Sequence, residues 1–457
     1  MFIVSHIRIA VILLVAGVLS VSYPASAQRQ SLILDTEIEN ILRAYAAPIF
    51  KVAGLKSSDV QIYIVNDETL NAFVAGGQKL FVNSGLILNS ENANQIIGVF
   101  AHETGHIAGG HLSRVHDALS KTKATSIIAM ILGGAAAVAT GRGDLGAAIA
   151  IGGQGTALRS FLAYSRTQEG AADHAGLGFL EKTGQSARGL LAFMNKLGDQ
   201  ELLSIAQQDP YVRSHPLTRH RIETVKNFIS TAQHSDSAGP EDFDVMYARM
   251  KAKLYAFINP YAHTLQVYKE SDRSLPARYA RAVAEFRRPR LDKALAIIDD
   301  LIADNPHDPY FHELRGQMLF ENGRNSGAIT SYAKAVELLP DAPLIRLDLA
   351  RAQLEAHDPR LLNPAIENLE IALSKDPDSA RKWRFLAIAH GRKGDMGRSY
   401  LALGEEALNL RKPDVAKFQA NRAKNMFPRG SREWLQAEDI LLAADELERQ
   451  IKRQKDQ

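Results

Sequence analysis

The sequence predicts an α+β, mostly helical chain: a domain carrying a small sheet, followed by an all-α repeat solenoid. Three observations point there. One short stretch is β-branched and alternating, helical periodicity surrounds it, and prolines recur about every 34 residues through the C-terminal half. At 457 residues the chain is too long for one ordinary core, so more than one domain is expected. The boundaries read as 28–231 for the first domain, 232–276 for a polar linker continuing into a connecting helix, and 277–457 for the repeats.

The first residues stand apart. An early arginine precedes an apolar run from Ile9 to Val21, and Ala25-Ser26-Ala27 places small residues ahead of Gln28. That is the form of a signal-peptidase site, and a run of about 13 residues is short for the ~20 that a spanning helix needs. Export with removal of residues 1–27 is the expectation; retention of Met1 to Ala27 as an anchor is the alternative. The chain has no cysteine, which excludes disulfides, thiolate metal sites and a cysteine nucleophile. Any metal must be held by histidine and carboxylate. Lys plus Arg is 54 against 51 for Asp plus Glu, so nothing suggests a nucleic-acid partner.

Taken in order, Val60 to Asp67 ("VQIYIVND") alternates and reads as a strand. Asn71 to Ile87 ("NAFVAGGQKLFVNSGLI") places a Gly76-Gly77 turn before the strand-like Lys79–Asn83. A long helix is expected from about Glu91 to Ser120, opened by the capping residues Asn89-Ser90-Glu91-Asn92. Residues 126–157 are almost all Ala, Gly, Ile and Leu, broken at Gly141-Arg142-Gly143-Asp144. They read either as a tight helical hairpin or as a mobile element that covers a site or makes peripheral contact with lipid. Further on, Pro306, Pro340, Pro377 and Pro413 are 34, 37 and 36 residues apart. In phase with them fall Gly316, Ala328, Tyr332 and Ala335, then Ala350, Ala365, Leu369 and Ala372, then Trp383, Leu386, Ala387 and Gly394. Small residues where paired helices cross, at that period, are the mark of tetratricopeptide repeats.

The chemistry is concentrated in Val99 to His116, "VFAHETGHIAGGHLSRVH". His102 and His106 are four apart, so a helix aims both imidazoles at one point, and Glu103 beside them is placed to take a proton from water activated by a metal. A catalytic metal needs a third protein ligand and an open position. Leu112, six residues after His106, cannot be that ligand. His111 is rotated roughly 500° from His106 on a continuous helix, so His111 and His116 read as structural or surface residues. Glu169 in "YSRTQEGAADHAG" is the better candidate, with Asp173 one turn on as an acceptor that fixes the tautomer of a ligand histidine. In "VRSHPLTRHRI", His215 precedes Pro216 and Arg221 follows. Its roles stay open between stabilising an oxyanion, serving as a fourth ligand that silences the site, and plain capping.

The segments "NAFVAGGQKLFVNSGLI", "AHETGHIAGGH", "SRTQEGAAD" and "SHPLTRHRI" together resemble, in order, the gluzincin-type zinc endopeptidase family that includes the HtpX heat-shock protease and the CAAX prenyl endopeptidase. The resemblance covers about 150 residues. It implies a zincin-like fold with one zinc per chain on His102, His106 and Glu169, and Glu103 as the base. It implies Asp173 and Arg221 behind the ligands and His215 near the open coordination position. It also implies an edge strand, Lys79, Leu80, Phe81, Val82 and Asn83, that pairs with substrate. An export signal joined to such a domain and to repeats resembles the periplasmic members. That implies misfolded or stalled outer-membrane β-barrel proteins as clients, and contact with the β-barrel assembly machinery through the repeats. A latent or non-proteolytic adaptor acting through the repeats is the rival expectation.

Overall fold

The computed structural model describes residues 31–111, 155–198, 210–288 and 290–455. The expected signal at 1–27, the small-residue segment as far as residue 154, and His116 lie outside the described residues. The chain opens with a short strand β1 (Leu32–Ile33) and helix α1 (Thr36–Val52), whose N-terminus is capped by the Asp35 side chain accepting from Ile38 N–H. Strands β2 (Gln61–Val65), β3 (Ala72–Ala75) and β4 (Lys79–Asn83) complete a four-stranded sheet of order β1-β2-β4-β3. Strand β4 runs parallel to β2 and antiparallel to β3. The alternation is clean: Ile62, Ile64, Val74, Leu80 and Val82 point into the core, while Tyr63, Phe73 and Phe81 lie half-buried on the other face.

This order overturns the expectation that Lys79, Leu80, Phe81, Val82 and Asn83 form the free edge. Both sides of β4 are paired, because the chain passes from β2 to β3 and then returns to insert β4 between them. The Gly76-Gly77 hairpin was legible in the sequence, but a hairpin does not say which of its arms meets the next strand. Among the described residues, the open edge beside β4 is β3.

Strand β4 leads directly into α2 (Ser84–Asn89) and α3 (Ala93–Ala108). Asn92 caps α3 by accepting from Gln95 N–H. The helix expected to reach Ser120 stops at Ala108 because Gly109 and Gly110 turn the chain, Gly110 at φ 60°. Ile96, Val99 and Phe100 of α3 join Leu42, Tyr45, Ile49 and Phe50 of α1 in one core. Helices α4 (Gly155–Lys182) and α5 (Arg188–Leu197) pack against α3. Helices α6 (Pro210–Ser214) and α7 (Arg219–Thr231) follow.

Helix α8 (Glu241–Ile258) belongs to two cores at once. Tyr247, Met250 and Leu254 face the sheet domain, and Ala252 and Ala256 face Tyr279, Ile298 and Phe311 of the next cluster. After α9 (Tyr261–Val267) the chain is a run of antiparallel pairs: α10 (Leu275–Phe286) with α11 (Leu291–Asp304), α12 (Pro309–Glu321) with α13 (Asn325–Leu338), and α14 (Pro343–Glu355) with α15 (Leu362–Lys375). Then come α16 (Ala380–Arg392) with α17 (Met396–Asn409), and α18 (Pro413–Lys424) with α19 (Arg432–Lys455). A Cβ on Gly316 would lie 2.8 Å from the Tyr332 ring, which is why that phase position is glycine. The fold is thus an α+β domain with a small mixed sheet followed by a run of helical pairs.

Candidate metal centre

Helix α3 buries its apolar stripe in the core, and the same packing turns His102, Glu103 and His106 inward at 0%, 1% and 9% exposure. Helix α4 crosses α3 with Glu169 and Asp173 facing it. Small residues make the crossing close: a Cβ on Gly105 would sit 2.5 Å from the Ala172 carbonyl oxygen, and one on Gly176 3.0 Å from the Ala101 backbone. His215 leaves the end of α6, its N–H donating to Tyr211 C=O and its ring stacked on the Tyr211 ring at 4.6 Å.

One ligating atom from each of His102, His106, Glu169 and His215 lies within 4.8 Å of the other three. The Nε2 atoms of His102 and His106 are 3.1 Å apart. They stand 3.3 and 3.4 Å from the two oxygens of Glu169. His215 Nδ1 is 3.2 Å from Glu169 and 3.4 Å from His102 Nε2. Bonds of about 2.0–2.1 Å to a tetrahedral ion require donor atoms roughly 3.3–3.4 Å apart. The spacing therefore fits one small cation, and nitrogen and carboxylate donors without thiolate suit zinc-like divalent ions.

The tautomers agree with that fit. Asp173 Oδ1 is 2.8 Å from His102 Nδ1, and a carboxylate only accepts, so His102 carries its hydrogen there and turns the Nε2 lone pair inward. Arg221 in turn fixes Asp173, donating from Nε and Nη2 at 2.6 and 2.9 Å, and from Nη1 to Pro216 C=O at 2.9 Å. Burial would raise the Asp173 pKa, but the hydrogen bonds from Arg221 and His102 outweigh it and hold the carboxyl at about 2. Glu169 is held well below the usual range: burial opposes this, and the nearby His215 and Arg221 overcome it.

Glu103 is different. Burial raises its pKa against the opposing pull of His215 and His102. Neither carboxylate oxygen has a hydrogen-bond partner among the described residues, and His215 Nε2 stands 3.5 Å from Oε1. A buried carboxyl left without donors, beside a cluster of inward lone pairs, is arranged to exchange a proton with something that enters the site.

One residue was missed at the level of sequence, and for another the structure chooses between two readings. Of the structural and surface roles open to His111, it has the structural one. It is 6% exposed, and its Nδ1 lies 3.0 Å from His106 Nδ1. The rotational argument kept His111 out of the donor cluster, and it is not among the four clustered residues. The helix ends at Gly109-Gly110 and the turn folds His111 back behind His106. Tyr211, the platform under His215, gave no signal beyond being an aromatic near a histidine. The strand Lys79–Asn83 contributes nothing to the cluster; Asn83 donates to Thr69 Oγ1 instead.

The profile of Peptidase family M48 matches residues 33–229, and a tetratricopeptide-repeat profile matches residues 279–343. Residues 33–229 belong to peptidase family M48. The chain is 22% identical over 387 residues to the beta-barrel assembly-enhancing protease of Yersinia pestis, covering 83% of this chain and 77% of that one. It is 22% identical over 377 residues to the protein of the same name in Escherichia coli strain K12, with 82% and 76% covered. The mitochondrial metalloendopeptidase OMA1 of Schizosaccharomyces pombe is 27% identical over 188 residues, 40% of this chain and 51% of that protein. The chain is therefore a metalloendopeptidase, and its M48 domain carries the donor cluster described above.

Proposed function

We propose that the chain is a zinc-dependent endopeptidase of the periplasm that removes or rescues outer-membrane β-barrel proteins stalled in assembly. The observation that carries the enzymatic part is the convergence of His102, His106 and Glu169 beside a buried, donor-free Glu103. The client class rests on two β-barrel assembly-enhancing relatives aligned over most of this chain, and on the repeats, which offer a surface for clients or for the assembly machinery.

His102, His106 and Glu169 would hold the ion. When bound, zinc supplies Lewis-acid polarisation of the scissile carbonyl and makes water acidic enough to ionise near neutral pH. Glu103 takes the proton from the attacking water and passes it to the departing amine; its raised pKa favours carrying that proton between the two events. Asp173, gripped by Arg221, keeps His102 in the ligating tautomer. An extended client pairs with the open edge of β3, which lies against α3, through backbone groups that are indifferent to side-chain identity. Such pairing suits a client whose own strands are unpaired.

One observation favours a latent resting state. His215 Nδ1, not only its far nitrogen, stands at ligand spacing from Glu169 and His102. The imidazole is thereby a candidate fourth ligand in the position that water needs, and swinging off its Tyr211 platform would open the site. The test is metal analysis and casein cleavage by full-length wild type, Glu103→Gln and His215→Ala. The proposal expects about one zinc per chain in all three, no cleavage by Glu103→Gln with client binding intact, and raised basal cleavage by His215→Ala. Cleavage that persists in Glu103→Gln would favour a pure adaptor with a contaminating activity.

A further inference from the structure

The outer face of the sheet carries a row of rings that the peptidase chemistry does not use. Phe81 of β4 stacks on Tyr63 of β2 at 5.1 Å and 19°, and on Phe73 of β3 at 5.0 Å and 10°. The stack follows the strand register, with Tyr63 opposite Phe81 and Phe81 opposite Phe73. Its Tyr63 end is closed. The phenol donates to Gln61 at 2.8 Å, and burial together with Asp376 and Asp378, in the turn between α15 and α16, raises its pKa. Among the described residues, the other end stops at Phe73, on the open edge.

The hydrogen-bond phase of that edge follows from one contact. Asn83 N–H donates to Asn71 C=O. In an antiparallel ladder, bonded positions alternate, so Phe73 also turns its backbone groups to β4, while Ala72 and Val74 turn theirs to the open side. An antiparallel strand added there bonds to Ala72 and Val74. Its residue opposite Phe73 then falls at a non-bonded pair, where Cα atoms approach to about 4.5 Å and side chains on one face touch most closely.

We infer that Phe73 is a specificity-determining residue: it extends the Tyr63–Phe81 stack to the edge and selects substrate strands with an aromatic side chain at the position facing it. This rests on the edge-strand reading of β3 proposed above. The occupant is an extended polypeptide, because only a backbone offers donors and acceptors at the spacing that Ala72 and Val74 present. The flat, half-buried ring of Phe73 rewards a second ring more than an aliphatic or charged group.

The test uses the full-length protein and a random peptide library, with cleavage sites mapped by mass spectrometry. A matched peptide pair then carries Phe or Ala at the enriched position. Wild type is expected to enrich Phe, Tyr and Trp at one fixed position from the scissile bond. It should hydrolyse the Phe peptide with a KM about two- to tenfold lower than its Ala twin, at similar kcat. Phe73→Ala should bring the two KM values within twofold, and Phe73→Tyr should keep the preference. If Phe73→Ala loosens the sheet, Phe73→Leu replaces it and should show a preference weaker than that of Phe73→Tyr. No aromatic enrichment in wild type, or an undiminished preference in Phe73→Ala or Phe73→Leu, overturns the inference. Peptides N-methylated at successive amides separate the two layers. Methylation that slows cleavage at one position, with no role for Phe73, overturns this inference alone; methylation without effect at any position overturns the edge-strand reading with it.

Discussion

Substituting Gly105 with alanine should weaken metal binding at least about tenfold in a protein that still folds. The added Cβ would lie 2.5 Å from the Ala172 carbonyl oxygen and 2.9 Å from its Cα, both backbone atoms that cannot rotate away. Restoring an ordinary contact of about 3.2 Å asks α4 to retreat from α3 by roughly 0.7 Å, since packed interiors have little slack. Overpacking of that kind costs about 1–3 kcal/mol, and the better helix propensity of alanine returns up to about 1 kcal/mol. The net loss of stability is then at most about 3 kcal/mol. The ligand geometry is less forgiving. Glu169 rides on α4 and the two histidines on α3, while metal bonds tolerate only about 0.2 Å. A retreat of 0.7 Å is several times that tolerance, so affinity for zinc should fall by at least an order of magnitude. The assay is competition with a chromogenic chelator, read beside urea denaturation of the same preparation. Gly178→Ala on α4 is the control: nothing lies within 4 Å of its new Cβ, so it should bind zinc like wild type and be equally or more stable. Wild-type zinc affinity in Gly105→Ala would refute the claim that this close crossing sets the ligand geometry.

Other residues give shorter tests. Arg221→Lys removes the two-pronged grip on Asp173, which a single ammonium cannot reproduce, and zinc affinity should drop about 10- to 100-fold in the same chelator assay. His111→Ala takes away the partner of His106 Nδ1 and should cost about tenfold in zinc affinity, with His111→Gln recovering part of it. Glu37→Gln strips the fully buried counter-charge of Arg249 and Lys253; urea unfolding should show roughly 3–5 kcal/mol lost. Glu313, half-buried beside Asp35 and opposed by Lys253, has its pKa raised by desolvation to about 8 from 4.5. The folded state favours its protonated form, so this contribution is complete below about pH 4.5 and is lost as pH rises through 8. Glu313→Gln should flatten that part of the stability–pH curve measured by thermal unfolding.

How much of this was written in the sequence depends on whether the information is local. The pairing of His102 with His106 follows from one helical turn and needs no tertiary knowledge. The repeat phase is equally local: Gly316, Ala328 and Ala335 recur because each unit meets its neighbour in the same way. Glu169 and Asp173 share one face by spacing, but nothing in 60-odd intervening residues says that α4 crosses α3 at Gly105 rather than elsewhere. Strand order is the clearest limit. Lys79–Asn83 looks like an edge when only its alternation is read, and becomes interior once β2 chooses it as a partner. His111 shows a subtler limit. Its exclusion from the donor cluster was legible, but a rotation along an unbroken helix does not show that the turn at Gly109-Gly110 sets it against His106 Nδ1.

The repeats and the M48 domain are joined in a way that bears on how a client would reach the donor cluster. The N-terminal turn of α1 is held by repeat-side groups: Thr36 donates to Glu313, Asn40 to Tyr310, and Tyr279 to Glu37. Glu37 also pairs with Arg249 and Lys253 of α8, and Arg249 reaches on to Asp308. Domains joined by a flexible linker share few desolvated charges, because burying them without full pairing is costly. Here Glu37 is fully buried and Lys253 nearly so, each with several partners. Helix α1 in turn packs directly on α3, the helix that carries His102 and His106. The solenoid is therefore fixed relative to the donor cluster through a single intervening helix. Under the proposed function, a client bound along the repeats would approach the β3 edge from a set direction, and loosening the Glu37 cluster should uncouple client capture from cleavage.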